Sequence, residues 1–131
     1  MSKRNKREIP AFEHPIIETH CHLDYLKENP LEDTLANAKA AGIEKIITIA
    51  VSPDNLDTVM ALTQADDMLW GTQGVHPHDA EKYTQATGVK IREQALNERI
   101  VAVGEIGLDY FYDNADREIQ RQVFHDQLQI A

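Results

Sequence analysis

Three short segments carry residue types that can do chemistry together. The first is Glu18-Thr19-His20-Cys21-His22-Leu23-Asp24. The stretch from Pro15 to His20 reads as a strand, and strand side chains alternate between faces. His20 and His22 are therefore expected on one face, with Glu18 on that face too and Cys21 on the opposite one. Two imidazoles side by side can hold one divalent ion. Six histidines in 131 residues give a chance His-x-His roughly one time in four, so this pair by itself reads equally as two hydrogen-bonded loop histidines. Cys21 reads as a small packed residue behind the strand, not as a nucleophile or soft ligand.

The second segment is Gly74-Val75-His76-Pro77-His78. Its glycine and proline predict a stiff loop. His76, nearer the preceding strand, is the expected site residue, and His78 is expected to face water. The third is Val101-Ala102-Val103-Gly104-Glu105-Ile106-Gly107-Leu108-Asp109-Tyr110. Alternation places Val101, Val103 and Glu105 on one strand face. A carboxylate ending an apolar strand calls for a partner, since a buried charge is costly unless paired or bound to metal. The glycines on either side of Glu105 are expected to allow close backbone approach. Glu105 is thus a candidate metal ligand, and Asp109 a candidate for orienting a ligand from behind.

These segments need elements to position them, and the chain alternates short apolar runs with amphipathic stretches. Strands are expected at Pro15–His20, Ile43–Val51, Leu69–Val75 and Ile100–Glu105. The second, rich in isoleucine, reads as buried on both faces. Helices are expected at Asn29–Ala41, closed by Gly42, and after Ser52-Pro53, read as an N-cap with proline in the first turn. Asp79–Asn97 is expected to be mostly helical with a break near Gly88. Asp116–Ala131 is expected to bury Ile119, Val123, Phe124 and Leu128. Four β-α units in series predict an α/β fold with a parallel sheet. Either a doubly wound sheet or part of a (β/α)8 barrel accounts for the pattern. A complete barrel needs about 250 residues, and this chain has 131. All three motifs then fall at the carboxyl ends of strands, where such folds build their sites. His125 lies within the last helix and is expected to be solvated.

The composition, 42% hydrophobic and 27% charged, is that of a globular domain. A net charge of −9 argues against nucleic-acid binding through a basic face. Bound divalent cations would reverse that argument locally. No apolar run reaches membrane-spanning length, so no membrane partner is expected. The one cysteine and the absence of a signal-peptide pattern suggest the cytoplasm. Residues 1–14, with the basic cluster Lys3–Arg7, read as a flexible extension, and 15–131 as the domain.

The three ordered motifs resemble the signature segments of the TatD family of metal-dependent deoxyribonucleases. The helix beginning near Arg117, with Gln122, Phe124, Gln127 and Leu128, is similar to the one that follows the third signature. The resemblance covers nearly everything from Ile16 onward. It implies the first four β-α units of a TIM-type (β/α)8 barrel, two divalent ions (zinc, manganese or magnesium) per complete site, and DNA as substrate. By the same resemblance His20 and His22 bind one metal, Glu105 bridges it to a second, and His76 lies by the substrate phosphate. Glu18 stands where the family usually has aspartate and is not assigned as a ligand. The family supplies two further histidines and an aspartate from later strands, and nothing in this chain matches them. The expectation is that these 131 residues alone have little nuclease activity. Two other functions fit the sequence: hydrolysis of a small ester or amide, and a non-catalytic fragment that binds metal or self-associates through an open half-barrel.

Overall fold

A computed structural model describes residues 7–131. Of the basic cluster Lys3–Arg7, all but Arg7 lies outside the described residues. Residues 7–14 are exposed and form no helix or strand. The strands β1 (Ile16–Cys21), β2 (Ile43–Thr48), β3 (Leu69–Gln73) and β4 (Ile100–Val103) form one sheet in the order β1-β2-β3-β4, every pair parallel. The helices α1 (Leu31–Ala40), α2 (Leu56–Ala65) and α3 (Gln85–Gln94) make the crossovers, and α4 (Arg117–Ile130) follows β4. This order separates the two architectures. A doubly wound sheet reverses direction at a switch point, whereas here each strand is added on the same side as the last, as in a (β/α)8 barrel.

The helices bury one face of the sheet. Leu35 of α1 packs with Leu23, Ile46, Met68 and Leu69. Leu56 and Val59 of α2 pack with Ala50, Val75 and Ile91. The expectation that β2 is buried on both faces is not met: Glu44 and Lys45 are exposed and Ile47 is only partly covered. Among the described residues no second layer covers the other face, and on the edge strands Ile17 and Val101 are 53% and 49% exposed.

Three local expectations also need correction. The turn from Ser52 to Asn55 is too tight to be helix: the Asn55 amide donates to the Ser52 carbonyl, and the Asn55 side-chain oxygen accepts from the amides of Val51 and Ser52. Helix α2 therefore starts at Leu56. In the 79–97 region the break falls earlier than Gly88. A short 3-10 helix ends at Lys82, and Thr84 caps α3 by a reciprocal hydrogen bond with Thr87. Gly88 lies within α3, where the Tyr83 hydroxyl occupies the space a Cβ would need. Finally, α4 buries Gln120, Val123 and Gln127 while Ile119 and Leu128 remain exposed. The two glutamines face inward because they satisfy backbone groups of the loops that carry the candidate site.

Candidate metal centre

Strand β1 carries a bulge between Glu18 and Cys21. His20 and His22 still share a face, their rings 5.4 Å apart and edge to face. Glu18 turns its Oε1 back to accept the His20 amide at 2.9 Å. The His22 Nδ1 lies 3.3 Å from the Ile49 carbonyl. A carbonyl can only accept, so Nδ1 carries the proton and the Nε2 lone pair is free for a ligand.

Glu105 arrives from the next-but-two strand. Strand β4 ends at Val103, two residues short of the expected Glu105, because the backbone then turns across the sheet. Gly104 donates to the Gln73 carbonyl, and Glu105 donates to the Ala50 carbonyl at 2.9 Å. The close backbone approach belongs to Gly74, not to the glycines flanking Glu105. A Cβ on Gly74 would sit 2.6 Å from the Gly104 carbonyl carbon, while a Cβ on Gly104 or Gly107 would meet nothing within 4 Å. This contact lets the third motif cross the second. As a result ligand atoms of His20, His22 and Glu105 all lie within 4.8 Å of one another.

The two oxygens of Glu105 face different histidines. Its Oε2 is 3.4 Å from His20 Nε2, and its Oε1 is 3.6 Å from His76 Nε2. His76 is held by the His78 amide, which donates to its Nδ1 at 3.0 Å. The proton of a neutral His76 must then sit on Nε2, facing Glu105. Burial pushes the His76 pKa down, with Glu105 opposing the effect, which favours the neutral ring with its N–H donor at Nε2.

His78 does not face water as expected. Its Nε2 meets Asp109 Oδ2 at 2.6 Å. Asp109 in turn accepts the amides of Phe111 and Tyr112 at Oδ1, each at 3.0 Å. The Tyr112 amide first, and the His78 contact next, hold its carboxyl below the usual carboxylate range. Asp109 thus acts one step removed from the cluster, by tying the loop after β4 to the loop after β3. Gln120 completes the tie, accepting from the Asp109 amide at 2.8 Å and donating to its carbonyl at 3.1 Å. The roles of His78 and Gln120 were not read from sequence. The available signal was a glutamine repeated at i and i+7 on a helix face otherwise marked by Val123. His125 is exposed on α4, as expected.

Cys21 packs behind β1 against the first core cluster, its thiol 3.8 Å from the Ile47 carbonyl. Burial, with the nearby charges of Glu18 and Asp24 adding to it, pushes its pKa up to about 11. Only the thiolate reacts. Alkylation by iodoacetamide at pH 8 is therefore expected to run about a hundredfold slower than for free cysteine, and to accelerate as pH rises toward the shifted value. A rate at pH 8 equal to that of free cysteine would show that the thiol is not held behind the strand.

The chain is a parallel β/α sheet that gathers two histidines and a carboxylate at the carboxyl ends of its strands, a donor set that could hold a divalent ion. Residues 17–131 match the family described as TatD related DNase, and the chain belongs to that family. It is 38% identical over 119 residues to the uncharacterized metal-dependent hydrolase YjjV of Escherichia coli strain K12, covering 88% of this chain and 46% of that protein. It is 36% identical over 105 residues to the 3′-5′ ssDNA/RNA exonuclease TatD of Pectobacterium carotovorum, covering 79% and 40%. The crystal structure of Escherichia coli YjjV, a TatD homologue, superposes with a TM-score of 0.79 at 35% identity, over 88% of this chain and 46% of that one. The chain thus spans less than half the length of these relatives. No helix among the described residues is long and apolar enough to cross a membrane.

Proposed function

We propose that this chain furnishes part of a metal-dependent phosphodiesterase site that acts on nucleic-acid strands. One observation carries the reading: His20 and His22 at the end of β1 and Glu105 just after β4 are far apart in the chain, yet their ligand atoms converge within 4.8 Å. The donor set fits a divalent ion, since His22 has a free Nε2 lone pair and Glu105 supplies the negative charge. Histidine with carboxylate suits zinc or manganese better than magnesium. Such an ion, held by these three side chains, would polarise a phosphoryl oxygen and activate a water. Glu105, with one oxygen toward His20 and the other toward His76, suits a bridge to a second ion. His76, with its proton on Nε2, would donate a hydrogen bond to a substrate phosphate. His78 and Asp109 would keep His76 in that orientation.

Substrate class is supported by relatives named as ssDNA/RNA exonucleases, and by charge. A chain of net charge −9 repels polyanions unless cations intervene. The test follows from that dependence. With Mn2+, the chain is expected to bind a single-stranded oligothymidylate and to lose it on adding EDTA, with little hydrolysis from these 131 residues alone. Binding that ignores EDTA, or no binding with Mn2+ present, would overturn the reading. The lone Cys21 supports a reducing, cytoplasmic setting. A second reading, self-association through the uncovered sheet, is favoured by the exposed Ile17 and Val101 on the two edge strands.

A further inference from the structure

The loop after β4 exposes aromatic rings on a backbone that is firmly anchored. Phe111 is 87% exposed and Tyr112 is 66% exposed. Yet both amides are bound by Asp109, which is itself held by His78 and by the buried Gln120. The rings are linked to the site in an unbroken series. Tyr112 lies edge-on to Phe111 at 4.8 Å and to His78 at 5.7 Å, and His78 lies against His76 at 4.3 Å. From a different segment Tyr25, 59% exposed, stacks on His22 at 5.0 Å with the ring planes 20° apart. Tyr25 and His22 line the same pocket as His76, His78 and Glu105.

Exposed rings fixed beside a phosphodiester centre match the needs of a strand whose bases are not paired. The phosphate goes to the metal cluster and the neighbouring base covers a ring. Stacking tolerates any sequence because every base has a π face. A duplex keeps those faces within its own stack and has none to offer. Charge points the same way: with a net charge of −9, this chain gains little from the backbone electrostatics that dominate most nucleic-acid binding, and stacking is the attraction that remains away from the metal.

We infer that Phe111 and Tyr112 form a stacking platform for an unpaired base adjoining the phosphodiester at the His20–His22–Glu105 cluster, with Tyr25 offering a second ring beside His22. This rests on the phosphodiesterase reading and adds to it a contact with the base beside the phosphodiester.

The test compares an oligothymidylate with an abasic oligomer of the same length and the same phosphates, as unlabelled competitors in Mn2+. The intact chain is expected to prefer the base-containing strand by about tenfold. The double variant Phe111→Ala, Tyr112→Ala is expected to lose that preference while keeping its affinity for the abasic strand and for Mn2+. Phe111→Tyr with Tyr112→Phe, which keeps both rings, is expected to retain the preference. Equal affinity of the intact chain for the two strands, or an undiminished preference in the alanine variant, overturns the platform and leaves the phosphodiesterase reading standing. Failure of both strands to bind in the presence of Mn2+ overturns both.

Discussion

Replacing His20 and His22 together by alanine is expected to weaken Mn2+ or Zn2+ binding by at least about a hundredfold, measured by titration calorimetry. The magnitude follows from position. Changing a residue that merely orients a ligand costs 10- to 100-fold in metal affinity, and these two side chains are candidate ligands themselves. They are two of the three groups whose atoms converge within 4.8 Å. Glu105 would be left without the two imidazoles of the first motif to share the ion. His125→Ala, on the exposed face of α4, is expected to change nothing and serves as the control. Metal affinity that survives the double substitution would place the centre elsewhere. Because the readout is binding and not turnover, the result does not depend on whether this chain completes a catalytic site.

The second large effect is expected at Gln127, far from the metal ligands in sequence. Its side chain accepts the Val75 amide at 2.7 Å and donates to the Val75 carbonyl at 3.1 Å, across 52 residues of chain. Both partners are buried. Gln127→Ala removes both hydrogen bonds and leaves two backbone groups without water or protein partners. Each such group costs about 1–3 kcal/mol. A loss of about 3 kcal/mol and a fall in Tm of roughly 10 °C are expected, read by thermal denaturation. Gln122→Ala, exposed on the same helix, is expected to stay within about 0.5 kcal/mol of the parent. Equal Tm values for the two variants would mean that Gln127 does not hold α4 to the loop. The consequence reaches the site, because Val75 directly precedes His76.

The strands were legible because their signal is local. Each apolar run lies where a strand formed, and no observed boundary moved by more than three residues from the one expected. The alternation of strand and helix predicted the parallel sheet. His20, His22, His76 and Glu105 could be picked out because strand ends are where such folds collect polar groups. Local signals failed where a residue acts across the chain. His78 looked like a water-facing turn residue, and its partner Asp109 stands 31 positions away. The inward roles of Gln120 and Gln127 left no local mark, because the backbone groups they satisfy belong to distant loops. Ser52-Pro53 matched a helix start, and the Ser52 hydroxyl does accept the Asp54 amide, but residues 52–55 close as a tight turn on the Asn55 side chain and α2 begins only at Leu56.

By itself, the sequence determined the order of the elements, the parallel α/β class, the family, and the residue types able to bind a metal. Period-2 alternation and motif spacing are properties of neighbouring residues, and they survive without knowledge of the fold. Only the tertiary structure decided that the three motifs meet. Gly74 lets the Gly104 backbone pass close by, and this crossing brings Glu105 from the fourth strand to the two histidines of the first. Convergence depends on distances between segments about 85 residues apart, which no local pattern encodes.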